Sequence, residues 1–161
     1  MSTLPHGSTI LKQVLGSGLA RFIRSHGFKR ERARFTRARP PLTDLLTFSV
    51  NRSRYLQQKS FWMIASCRFE GLLPAQLSYD LITVGEGYDA GDLAVSLAES
   101  LRRQLIPDLD ALEGPAELGR RLERDHRLLD AAAVFRHARL FDEAARLETA
   151  ERERRAQVVG L

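Results

Sequence analysis

The hydrophobic residues of this chain change their spacing twice along its length. From Ser8 to His26 they recur every three or four residues, as in an amphipathic helix. After Phe28 they alternate with polar residues as far as Val84, which is typical of strands with one solvated face. From Asp89 onward the helical spacing returns. This pattern predicts an α+β fold with an N-terminal helix, an antiparallel sheet of three to four strands and a C-terminal set of about four helices.

The sheet is expected to be antiparallel because the connections between its strands are too short for helical crossovers. In the third strand Trp62 and Ile64 make the second face apolar as well, so this strand is expected to be central and covered on both sides. The predicted strands run from Phe28 to the Pro40-Pro41 pair, from about Leu45 to Arg54, from Phe61 to Phe69 and, as a short fourth candidate, from Leu77 to Val84.

The C-terminal helices have recognisable boundaries. Asp89 or Asp92 is suited to cap the first helix, Pro107 is expected to end it, and Pro115 suits the first position of the next. Two alanine-rich helices follow, at 128–138 and 142–157, and predict a helical hairpin. A length of 161 residues suits a single domain, 1–161, with a helix-and-sheet part at 1–84 and a helical part at 85–161.

Charge is distributed unevenly between the two parts of the chain. Residues 1–68 contain 13 Lys and Arg against two acidic residues, whereas residues 69–161 contain 12 basic and 18 acidic residues. Neighbouring antiparallel strands would gather the basic residues into a patch that binds a partner protein or nucleic acid, with Tyr55 and Trp62 as stacking groups. The alternative is the solvated face of an arginine-rich sheet. The candidate binding residues are Arg30, Arg32, Arg34, Arg37, Arg52, Arg54 and Lys59.

Patterns that indicate chemistry are absent from the sequence. The four histidines lack zinc-ligand spacing, so neither a metal site nor a cofactor is expected. Cys67 lies in the middle of a strand and is expected to be a buried, inert thiol. The Gly16-Ser17-Gly18 stretch lacks the flanking strand and Lys-Ser/Thr pair of a phosphate loop, so close helix packing is expected there. No catalytic residue is assigned. The sequence also lacks a secretory signal and a membrane span, and a cytoplasmic location without a membrane partner is expected.

The region from Ile10 to Phe69 resembles an uncharacterised bacterial family, domain of unknown function 4304. The resemblance rests on the amphipathic helix and on the segments HGFKRERARFTR, FSVNRSRY and FWMIASC. Gly27, Phe28 and Lys29 match the turn of that family and Phe35 its aromatic position, whereas Asn51 replaces the usual Gln and Ser53 keeps the serine. The resemblance implies a fold and, by analogy, an accessory or immunity-like role beside a toxin.

Three hypotheses about function follow from these observations. The first is a non-enzymatic protein-binding or accessory protein with an unknown protein partner. The second is a nucleic-acid-binding protein that uses the basic strand face. The third is an enzyme of unrecognised type.

Overall fold

The N-terminal helical segment is bent in the middle. The computed structural model describes residues 4–52 and 59–160. It places α1 at Gly7–Val14 and α2 at Ala20–Ser25, joined by the wide turn Leu15–Leu19, which the Ala20 N–H closes on the Leu15 carbonyl oxygen. Gly18 has φ 110°, a value that glycine adopts without strain. Gly16 and Gly18 have open space around them, so the prediction of close helix packing was wrong. Ser17 and Gly18 have non-helical backbone angles and make a kink instead.

The sheet has five antiparallel strands in chain order, rather than three to four. The predicted first strand is two strands, because Arg32 has φ 56° and turns the chain back on itself. Its predicted end at Pro40-Pro41 is confirmed, as are the antiparallel order and the fourth candidate strand. The strands are β1 Lys29–Glu31, β2 Arg34–Arg39, β3 Leu42–Val50, β4 Lys59–Phe69 and β5 Ala75–Val84.

The two faces of the sheet have different surroundings. On one face, which we call the core face, Leu46, Phe48, Phe61 and Met63 are buried against the helices. The other face, which we call the open face, carries the residues that alternate with these, including Trp62. None of the buried clusters within 4–52 and 59–160 contains an open-face residue, so the expected helical cover of that face is not seen there. The central strand is β3 rather than β4.

The helices of the C-terminal part follow β5. Asp89 caps the first of them, because its side chain accepts a hydrogen bond from the Asp92 N–H. The prediction that Pro107 ends this helical segment was wrong, because the segment continues through it to Asp110. A wide turn at Leu101–Leu105 comes just before Pro107, and its irregular hydrogen bonding accommodates the N–H group that proline lacks. Pro115 does begin a helix. The elements are α3 Ala90–Ser100, a wide turn Leu101–Leu105, α4 Ile106–Asp110, α5 Pro115–Arg124, α6 Leu128–His137 and α7 Phe141–Val159.

Two hydrophobic clusters lie on the core face. The first contains residues of the four helices α1, α2, α3 and α4 and of the strands β2 to β5. The second joins α5, α6 and α7 to the other end of the core face through Leu42, Cys67 and Ala75. The small faces of Ala131, Ala132 and Ala144 are buried in it, which lets the predicted hairpin of α6 and α7 pack closely.

The contact between α5 and α6 predicts a steric effect at Gly119. A Cβ atom at this buried position would lie 2.6 Å from the Phe135 ring. Although alanine normally favours a helix over glycine, we expect G119A to lower the free energy of unfolding by about 1 to 3 kcal/mol. Urea unfolding followed by circular dichroism measures this change. The matched control is G16A, whose Cβ meets no atom within 4 Å. Equal stability of the two variants would contradict the packing described for Gly119.

Candidate functional site

The sheet register separates the basic residues that the sequence groups together. Arg30 and Arg37 fall on the core-face side, since they pair with Phe35 and Asp44 respectively, whereas Arg34 falls on the open face opposite Thr47. Arg32 lies in the turn between β1 and β2, Arg52 follows β3, and Lys59 begins β4. Arg54 and Tyr55 lie outside the described residues. The first strand pair therefore does not present its arginines as one continuous patch.

Arg37 belongs to a buried ion network rather than to an exposed binding surface. The Asp44 side chain is fully buried, while those of Arg37 and Arg39 are 12% and 24% exposed. Arg37 Nη2 lies 2.8 Å and Arg39 Nε 2.6 Å from the same oxygen, Asp44 Oδ2. Arg39 Nη2 donates to the second oxygen, Oδ1, over 2.7 Å. The hydrogen bonds that Arg39 donates to the Asp44 carboxylate raise the pKa of Arg39, so this guanidinium stays charged.

The same two arginines connect the sheet to the end of α4. Arg37 Nη2 donates to Asp110 Oδ1 over 2.7 Å. Arg39 donates to the carbonyl oxygens of Leu109 and Leu112, each over 2.8 Å. These carbonyls lie at a helix end, where they lack partners within the helix. The network thus fixes the C-terminal helices on the sheet, and Arg37 and Arg39 have a structural role.

The open face contains an exposed aromatic and aliphatic surface. The rings of Trp62 and Tyr79 stack with centroids 4.2 Å apart and an angle of 18° between their planes. Tyr79 is 54% and Leu81, which pairs with Trp62, is 39% exposed. Ile64 is half-buried on the same face. Exposed apolar side chains that lie next to one another are a common feature of protein-binding surfaces.

Charged residues lie elsewhere on the open face. By register this face carries Lys29 and Glu31 on β1, Arg34 on β2 and, six residues along β4 from Trp62, Arg68. The three cations outnumber Glu31, so the charge of these residues is positive overall. The open face of β3, between these strands, holds the small polar residues Thr43, Thr47 and Ser49 around the buried Leu45.

A second cationic surface lies where α2 meets β1. Gly27, with φ 90°, reverses the chain after α2, so the start of β1 returns beside the last turn of the helix. This places Lys29 and Arg30 beside Arg21 and Arg24 of α2, two arginines that were not among the predicted binding residues. The three- and four-residue helical spacing, combined with the glycine turn, was the signal that could have found them. The basic groove is lined by Arg21, Arg24, Ser25, Phe28, Lys29 and Arg30.

Side chains that could hold a metal ion do not come together within residues 4–52 and 59–160. No group of three or more His, Cys, Asp or Glu side chains in that part of the chain is arranged to hold a metal ion. Cys67 is buried, as predicted, and burial with the nearby Asp44 carboxylate raises the pKa of its thiol to about 12. None of the helices in those ranges is both long and apolar enough to cross a membrane.

No family model, curated protein or solved structure matches the chain. The resemblance to domain of unknown function 4304 therefore stays a prediction.

The ion network predicts a large effect of removing its carboxylate. D44N would leave Arg37 and Arg39 partly buried beside an amide, and we expect it to lower the free energy of unfolding by about 3 kcal/mol or more. Thermal and urea unfolding measure this loss. The matched control is E99Q, since Glu99 also bridges two arginines, Arg102 and Arg103, but on the surface. We expect little change for E99Q because solvent screens exposed pairs. Similar losses in both variants would rule out a special role for the buried network.

The burial of Cys67 predicts a slow reaction with thiol reagents. The thiolate is the nucleophile, and a fully buried thiol with a pKa of about 12 provides very little of it at about pH 8. We expect an aromatic disulfide reagent to label the folded protein at least about 100-fold more slowly than the urea-unfolded chain. Rapid stoichiometric labelling of the folded protein would contradict this placement.

Proposed function

We propose that this chain is a non-enzymatic binding protein whose open sheet face receives a partner protein. The observation that carries the proposal is the stacked pair of Trp62 and Tyr79, with Leu81 beside it, on the face that the described helices leave uncovered. Aromatic side chains are enriched in protein interfaces because they bury a large area with little loss of side-chain freedom. Their rigid stacking also prepares the surface before a partner arrives.

The charges of the open face indicate the chemistry of the partner. Lys29, Arg34 and Arg68 lie on the same face as the apolar surface, on β1, β2 and the far end of β4. A partner that presents apolar side chains opposite Trp62 and Tyr79, and Asp and Glu opposite these cations, would match both features, since complementary charges raise the association rate and exclude other proteins. An accessory or immunity-like role is compatible with such one-to-one binding, and it stays a proposal drawn from the family resemblance.

Nucleic-acid binding along the strand face has weaker geometric support. That hypothesis needs Arg30, Arg34 and Arg37 on one surface, whereas the register divides them between two faces. Arg37 is also held by Asp44 and Asp110. The open face therefore supports the protein-binding hypothesis better.

The test compares the proteins that wild type and two variants capture from a lysate of the source organism. L81D places a charge in the open face, and L73D makes the same substitution at a loop residue that is 90% exposed. We expect one stoichiometric partner that survives nuclease treatment and moderate salt. L81D should reduce its capture at least about 10-fold, as expected for a central interface residue, while L73D should not.

Quantitative mass spectrometry of the captured fractions measures both effects, and circular dichroism checks that each variant is folded. Purified partner should then bind with fast, salt-sensitive association if its surface is acidic. Equal capture by L81D and wild type would show that the open face is not the interface. A partner that disappears after nuclease treatment would exclude direct protein binding.

A further inference from the structure

The basic groove has a second hollow beside it, at the bend of the N-terminal helical segment. The groove has a volume of about 850 Å³ and the second hollow about 420 Å³, and both are open to solvent. Arg21 and Arg30 line both, so the two hollows adjoin, and we call them together the channel. The wide turn Leu15–Leu19 forms the wall of the second hollow, where glycines without side chains leave the space open.

The cations of this channel lack neutralising partners in the described part of the chain. No ion pair there involves Arg21, Arg24, Lys29 or Arg30, and no acidic residue lines either hollow. The helical half behaves differently: Arg146, for example, pairs with Glu123 and Glu143. Positive charge that is concentrated in a concavity attracts anions strongly, because the low-dielectric walls focus the field.

Packing and hydrogen bonds hold the residues around these cations in place. Phe28, at the bottom of the groove, is 3% exposed and stacks under the Arg37 guanidinium at 4.8 Å. Arg30 Nε donates to the Arg32 carbonyl oxygen over 2.7 Å, and its guanidinium carbon lies 5.8 Å from the centre of the Phe35 ring. These contacts orient the Arg30 side chain before a ligand binds, which lowers the entropy lost on binding.

We propose that this channel binds successive phosphate groups of a nucleic acid strand. Its length across two hollows suits a linear polyanion, and the planar guanidinium groups suit bidentate contacts with phosphate. Four of the six described residues that line the larger groove are cations and Phe28 is buried, whereas interfaces with proteins have an apolar centre. Surfaces that bind nucleic acid are polar and strongly positive. The channel shares Lys29 with the open face but none of the apolar residues Trp62, Tyr79 and Leu81, so this function goes beyond the protein binding proposed above.

The test uses the full chain and a fluorescent single-stranded oligothymidine of about 20 nucleotides, with binding followed by anisotropy. Four phosphate contacts on a single strand predict that affinity falls about 50-fold between roughly 50 and 200 mM salt. The double variant R21E/R24E should weaken binding at least about 10-fold at the lower salt concentration. R124E/R152E is the matched control, because it changes the net charge equally at exposed sites on α5 and α7. Its binding should stay within about twofold of wild type.

A milder variant keeps the test informative if R21E/R24E does not fold. R21Q/R24Q removes two phosphate contacts without reversing charge and should lower the salt slope of log affinity by about 1.4. A purely structural role for these arginines would not change that slope. L81D should bind the oligonucleotide as wild type does, which separates this proposal from the one for the open face.

Three results would overturn the proposal. The first is the absence of binding at low salt, and the second is an equal loss in R124E/R152E. The third is binding of a polyglutamate of matched charge as tightly as the oligonucleotide, because that result would assign the channel to acidic proteins.

Discussion

The carboxylate of Asp44 connects the two halves of this fold. It lies on the central strand, fully buried, and both neighbouring arginines of β2 bind it. While Asp44 balances their charges, other N–H groups of Arg37 and Arg39 donate hydrogen bonds to Asp110 and to the Leu109 and Leu112 carbonyl oxygens at the end of α4. A buried carboxylate without these arginines would be very unfavourable, and the arginines without the carboxylate would repel each other. Sheet and helices are therefore positioned by one set of mutually dependent charges.

Packing of the described helices on the core face leaves the molecule with two surfaces of different character. The open face combines stacked aromatic rings with cations on other strands, and four of the six residues that line the basic groove beside α2 are cationic. Both lie in the helix-and-sheet part of the chain, residues 1–84, which contains 13 Lys and Arg against four acidic residues. In the other half, arginines pair with neighbouring carboxylates on the helices. The net charge of the chain thus underestimates the positive field of the helix-and-sheet half.

Element types could be read from the sequence because hydrophobic spacing reports directly on the buried face of a helix or strand. The sequence did not show that Arg32 adopts a left-handed conformation, since a turn of this kind depends on the pairing it allows, and so two strands were predicted as one. Likewise, the pattern at Trp62 and Ile64 predicts an apolar second face but not whether helices cover it.

The candidate site was predicted less well, for a related reason. Which arginines meet depends on strand register and on long-range pairing, and a shift of one residue moves a side chain to the other face. Arg37 has the same residue type and similar neighbours as Arg34, yet the carboxylate of Asp44 opposite it makes it structural. Arg21 and Arg24 join Lys29 and Arg30 through the reversal of the chain at Gly27, a relation between a helix and a strand that periodicity within each element does not contain.

The bend at Leu15–Leu19 makes the length of the first helical segment a determinant of its surface chemistry. Each residue of a helix advances its side chains by about 100° around the axis. Loss or gain of one residue in this wide turn would rotate α2 relative to α1 by that amount. As a consequence, Phe22 or Arg24 would take the place of Ile23 in the core. Homologous chains that keep the glycine bend but differ in its length are thus expected to carry different residues beside β1, so that an insertion of a single residue can redirect what this surface recognises.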